Sequence, residues 1–117
     1  MDNIISTKSF NFAVCIVNLY KYLCSNKKEF VLSKQLLRSG ISIGANVKEA
    51  INAQSRNDFL SKMNISLKEA GEAEYWIELL MATEYLNEQE GNSILNDCVE
   101  VKKILYSIVK KIKDSKE

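Results

Sequence analysis

Few side chains in this sequence could carry covalent or proton-transfer chemistry. There is no histidine, so the usual neutral-pH general base and the commonest metal ligand are missing. The thiols are Cys15, Cys24 and Cys98, an odd number without the paired spacing of a disulfide framework. On one helix Cys15 and Cys24 would point to opposite sides, at roughly 100° per residue, and could not bridge. All three read as small buried hydrophobes in a reducing cytoplasm. Ser42 has no base to activate it, and Glu49 has no second carboxylate at an interpretable spacing. No catalytic residue, metal or cofactor is expected, and the chain reads as a non-enzyme.

The elements that hold these residues are helical. The chain has 117 residues, enough for one domain, and no proline to break a helix. Its hydrophobic fraction of 46% is that of a chain with a core rather than a disordered one. The longest apolar run, Phe12 to Val17, is far short of the roughly 20 residues of a membrane span. The start Met1-Asp2-Asn3 is acidic, unlike a signal peptide. Hydrophobic spacing predicts a single domain over 1–117, with helices over about 6–24, 30–53, 56–84 and 88–113, and fraying from Lys113 to Glu117. Short connections then imply an all-α, antiparallel up-down-up-down four-helix bundle. The expected core stripes are Leu32, Leu36, Ile43, Val47, Ala50 and Ile51 on the second helix. On the third they are Phe59, Met63, Leu67, Ala70, Ala73, Ile77 and Leu80 or Met81. On the fourth they are Ile94, Cys98, Val101, Leu105, Ile108 and Ile112. Ser55 with Asp58, and Asn87 with Glu90, have the spacing of capping boxes. Gly40 and Gly44 imply close approach of a neighbouring helix, whereas Gly91 simply weakens the first turn of the fourth helix.

Several surfaces exceed what a lone bundle needs. Between Phe10 and Cys24 only Asn11, Asn18 and Lys21 interrupt the apolar surface of the first helix. A helix apolar almost all round is buried on more than one side, which hints at an oligomer. Arg38, Ser42, Asn46 and Glu49 form a row of small and hydrogen-bonding residues on the second helix. That row reads either as a polar network within a subunit interface or channel, or as a solvated face. On the third helix Ile65, Trp76 and Leu79 lie off the core stripe with charges between them. They form an interface patch or merely the edge of the core.

The near-zero net charge hides segregation. Residues 1–48 carry seven bases and two acids, 49–100 three bases and eleven acids, and 101–117 six bases and two acids. Lys102, Lys103, Lys110, Lys111 and Lys113 suit the negative end of a helix dipole. They also form a candidate surface for nucleic-acid phosphates, though without interleaved arginines or stacking aromatics.

The stretch Ser39-Gly40-Ile41-Ser42-Ile43-Gly44-Ala45-Asn46-Val47-Lys48-Glu49-Ala50 resembles the signature of a bacterial four-helix-bundle family. Its members include proteins encoded in intervening sequences of large-subunit ribosomal RNA genes. Ser55-Arg56-Asn57-Asp58-Phe59, Leu67-Lys68-Glu69-Ala70 and Glu74-Tyr75-Trp76 match as well. So do Lys8-Ser9-Phe10, Leu19-Tyr20-Lys21 and Phe30 to Arg38. The resemblance spans nearly the whole chain and implies assembly as a homopentameric barrel. Its relatives include the accessory variability determinant of diversity-generating retroelements, basic pentamers that bind nucleic acid and a reverse transcriptase. This chain departs from them in its neutral balance and acidic third helix. The expectation is a non-enzymatic, self-associating helical scaffold or adaptor in a bacterial cytoplasm, whose partner is itself. The alternative is an RNA- or DNA-binding accessory protein that uses the fourth-helix lysines, with RNA, DNA or a nucleic-acid-processing protein as its partner. Neither a membrane nor a small-molecule substrate is indicated.

Overall fold

A computed structural model describes residues 3–115 of the chain. The acidic start at Met1 and Asp2 and the end of the tail at Lys116 and Glu117 lie outside the described residues. The rest forms α1 (Asn3–Ser25), α2 (Leu32–Ile51), α3 (Arg56–Ala82) and α4 (Glu88–Asp114), with no strand among the described residues. Each helix packs on the next, and α4 returns to α1. Rising numbers on α2 meet falling numbers on α3: Arg38 meets Glu72, Ile43 meets Ser66, and Glu49 meets Lys62. The result is an antiparallel bundle measuring 49 × 21 × 21 Å.

Local chemistry sets the helix ends. Ser55 accepts from the Asp58 N–H at 3.0 Å. Asn87 and Glu90 exchange both bonds of a capping box, at 2.7 and 3.0 Å, each cap worth about 1 kcal/mol. The start of α2 uses a different device. The buried Glu29 carboxylate accepts the N–H groups of Val31 (3.1 Å), Leu32 (2.9 Å) and Ser33 (2.7 Å). The Ser33 hydroxyl donates back to the Glu29 carbonyl at 2.8 Å. Glu29 thus places a full negative charge against the positive end of α2. It also explains why α2 starts at Leu32 rather than near Phe30. The turns after α1 and α3 contain no glycine; Lys28 (φ 55°) and Glu84 (φ 69°) take the left-handed conformation there.

The core confirms most of the expected stripes and shifts them at their ends. Leu36, Ile43, Val47 and Ala50 of α2, Met63 to Leu80 of α3, and Ile94 to Leu105 of α4 face inward. Val109 occupies the last inner position of α4, with Ile108 only packed against it. Ile51, expected in the core, is exposed. On α3 the fully buried residue is Ser66 rather than Leu67. Its hydroxyl donates to the Ile43 carbonyl of α2 at 2.8 Å, which satisfies a polar group that would otherwise be costly to bury. Cys98 does the equivalent on the other side, with Sγ 3.4 Å from the Ala70 carbonyl. Of the three thiols expected to be buried, Cys98 alone is; Cys24 is half-buried and Cys15 is exposed. Cys15 lies outside the arc that α1 turns inward through Ile5, Phe12, Ile16 and Leu23.

The α1–α2 crossing is close for a visible reason. A Cβ on Gly40 would sit 2.8 Å from Cγ2 of the fully buried Ile16, and one on Gly44 would sit 3.4 Å from the Ser9 carbonyl oxygen. Gly91 has a similar role: it is buried beneath Met81, whose side chain occupies the place of a Cβ. Gly71 faces open space. Gly40→Ala should therefore lower the denaturation midpoint, because overpacking of about 1–3 kcal/mol exceeds the propensity gain. Gly71→Ala should raise the unfolding free energy by up to about 1 kcal/mol and shift the midpoint upward. Urea titration of both variants checks the pair.

Glu29 makes a pH prediction. Burial pushes its carboxyl up, but the backbone N–H groups of Leu32, Ser33 and Val31 outweigh burial and hold it below the ordinary value of 4.5. A lowered folded value means that the stabilisation is fully present above the unfolded value. It is lost as pH falls from there through the folded value. Glu29→Gln should lower stability at pH 7 by about 1–2 kcal/mol and flatten the acid limb of the wild-type stability profile.

Candidate functional site

The polar row on α2 and the Trp76 group on α3 meet along one seam. Arg38 reaches across to Glu72 and, at 3.5 Å, to Glu69. Glu49 pairs with Lys62 at 3.0 Å and holds the lysine's pKa above its usual range. Asn46 donates to the Ser42 carbonyl at 2.8 Å and lies 3.2 Å from the Ser42 hydroxyl, one turn away on the same helix. All four residues of the row thus have partners within the chain. Ile65 is exposed on the same seam, while Trp76 and Leu79 are half-buried. Trp76 packs against the core, and its indole N–H is sealed from solvent without an acceptor among the described residues. Tyr75 meets the Trp76 ring edge-on at 71°, so the two do not form a parallel stacking platform.

The fourth-helix lysines divide. Lys102 is bound to Glu74 at 2.5 Å, and that hydrogen bond raises its pKa. Lys110 pairs with Asp114 at 3.2 Å, an exposed i,i+4 contact of little energetic weight. Lys103, Lys111 and Lys113 are exposed, with no carboxylate paired to them among the described residues. Lys103 and Lys111 line depressions that the exposed Tyr106 shares, an aromatic absent from the expected lysine surface.

The largest surprise is at the α1–α2 seam. Phe10 (67% exposed), Val14 (44%), Ile41 (41%) and Ile51 (47%) leave large apolar side chains on the surface. Phe10, Ile41 and Ile51 line a groove of about 580 Å³ floored by Ser9 and Gly44 and edged by Lys48. The other three seams each carry a cross-helix ion pair: Arg38–Glu72, Lys102–Glu74 and Lys8–Glu100. The α1–α2 seam has none among the described residues. The signal in the sequence was the nearly all-round apolar α1; Ile41 and Ile51 were missed because α2 was assigned a single apolar arc.

Among the described residues no group of three potential ligands could hold a metal ion. Likewise no helix is long and apolar enough to cross a membrane. Burial, with the Glu74 carboxylate nearby, pushes the Cys98 thiol up to about 12, the opposite of an activated nucleophile.

Comparison with known proteins agrees with the four-helix fold. Residues 1–107 match the 23S rRNA-intervening sequence protein family. The chain belongs to that family. A solved member of the S23 ribosomal protein family from Bacteroides thetaiotaomicron, itself of unknown function, is 60% identical. It superposes with a TM-score of 0.92, over 93% of this chain and 97% of that one. No curated protein matches the sequence. The family match takes in α1, α2 and α3 whole and most of α4.

Thiol labelling separates the cysteines of this family member. Cys15 should react with a small disulfide reagent in the native state. Cys98 should react only on unfolding, at a rate set by denaturant; equal native rates at both would contradict the buried, raised Cys98 thiol.

Proposed function

We propose that this protein is a non-enzymatic scaffold that assembles with copies of itself into a closed ring, a pentameric barrel. The observation that carries the reading is the apolar α1–α2 face of Phe10, Val14, Ile41 and Ile51, on the seam without a cross-helix ion pair. Exposed apolar surface of this kind, edged by polar residues, marks association. A ring with an odd number of subunits is built from heterologous contacts, in which two different patches of one chain meet their opposites on its neighbours. The chain has a second candidate patch, centred on the exposed Ile65 and the half-buried Leu79 of α3. Arg38 and Glu49 border it on α2, where their ion pairs supply a polar rim. The ring thus places the α1–α2 face of one copy on the α3 patch of the next.

This geometry has a specific test. By light scattering the wild type should have the mass of a ring, and Phe10→Glu and Ile65→Glu should each give monomers. Mixing the two variants should restore dimers, because each retains the patch that the other lacks. A monomeric wild type would sink the proposal. Failure of the mixture to dimerise would show that the two patches do not meet.

A further inference from the structure

We propose that the bundle end carrying the α1–α2 and α3–α4 loops is a self-complementary docking face, on which two rings of this chain stack head to head. Phe30 and Val31 stand in the α1–α2 loop, 57% and 71% exposed. They do not sit on a loose turn. The buried Glu29 accepts the Val31 N–H at 3.1 Å together with the N–H groups of Leu32 and Ser33. Its carboxylate is thereby turned inward, and the two apolar side chains that follow stay on the outside. Lys27 and Lys28 stand beside them, with Lys34 in the first turn of α2. All three are exposed and paired with no carboxylate among the described residues.

The other loop at this end has the opposite sign. Glu84, Glu88 and Glu90 are exposed, and none is paired with a lysine or arginine among the described residues. The Tyr22 hydroxyl of α1 donates to Glu90 at 3.3 Å and ties the two halves of the end together. Helix dipoles account for Glu88 and Glu90 at the start of α4. They oppose Lys34, at the positive end of α2, and Glu84, just past the negative end of α3. Nor do they account for two large apolar side chains left in water. A face with one basic and one acidic edge complements itself when turned over on a two-fold axis. The basic edge of each copy then meets the acidic edge of the other. Phe30 and Val31 cover the opposite α3–α4 loop, where Tyr85 is half-buried. An anionic bilayer would accept Phe30, Val31 and the lysines but would also meet Glu84 and Glu88. A partner of one charge sign would likewise be repelled by one edge.

The bundle is 21 × 21 Å across, so one end offers on the order of 400 Å², about half of what each partner gives to a standard interface. A single such contact does not hold two chains, and the inference therefore rests on the ring proposed above. Contacts along the bundle sides stand the copies side by side. The same loops then lie on one face of the ring, with basic and acidic edges alternating around it. Turning one ring over onto another makes all the end contacts together, and linked contacts reinforce one another by orders of magnitude. The two-fold closes the assembly at two rings, because the far face carries residues 52–55 and the end of α4 instead.

Sedimentation velocity of the full chain provides the test. At about 50 mM salt the wild type should have twice the mass of the ring. At about 1 M, where charges are screened beyond about 3 Å, it should have the mass of one ring. Phe30→Ser combined with Val31→Ser should give one ring at both. So should Lys27→Glu with Lys28→Glu, and Glu84→Lys with Glu88→Lys; a retained ring mass shows that each variant has folded. Mixing the two charge variants at low salt should restore the double mass, because an acidic end then meets a basic one. A wild type that remains one ring at low salt overturns the stacking and leaves the ring intact, whereas a monomer removes the ring and the stacking with it. Double rings that survive the Phe30→Ser, Val31→Ser change also overturn the stacking. So does capture of the wild type, but not of that variant, by phosphatidylserine vesicles.

Discussion

The close crossing of α1 and α2 at Gly40 fixes the rest of the molecule. With no Cβ on Gly40, Ile16 seats fully in the core at the point where the two helices touch. Once Ile16 is inside, helical geometry leaves no choice for the rest of α1. Ile5, Phe12 and Leu23 follow it inward, while Phe10 and Val14 turn to the outside. The same contact sets the phase of α2, so that Ile43 and Val47 enter the core and Ile41 stands beside Phe10 at the groove. A small residue at one crossing thus determines both the tightness of the core and the apolar surface next to it.

Charge does complementary work on the other seams. The acidic α3 lies between α2 and α4 and draws one long cation from each, Arg38 to Glu72 and Lys102 to Glu74. Exposed pairs contribute little stability one by one. Arg38 reaches two carboxylates a turn apart, Glu69 and Glu72, so its pairing favours α3 as the neighbour rather than one register. The segregation of bases and acids along the chain is therefore largely an intrachain matter. It consumes Lys102, while Lys103, Lys111 and Lys113 stay exposed with no carboxylate paired to them among the described residues.

Much of this was legible in the sequence, and the exceptions share physical causes. Four helices, their antiparallel order and two of the caps follow from local rules, and Asn87 with Glu90 behaves as its spacing demands. Glu29 was not legible: a carboxylate capping from outside the helix looks like any charged residue of a polar turn. Stripe ends drifted because steps of three and four are interchangeable in sequence. Leu105 can be followed by Ile108 or Val109, and only packing chooses Val109. Ser66 and Cys98 show a further limit, since a small polar residue suits the core only when a neighbouring helix offers a carbonyl. The candidate surfaces were partly visible. The overly apolar α1 signalled an unmatched face, whereas Tyr106 was lost because a lone tyrosine has no periodicity.

The short links at residues 26–31, 52–55 and 83–87 have a kinetic consequence. Each joins helices that pack on each other, so most contacts close small loops, and bundles of this kind fold in microseconds to milliseconds. Each chain therefore completes its core through local contacts, and the face around Phe10 is displayed as a rigid surface of the folded molecule.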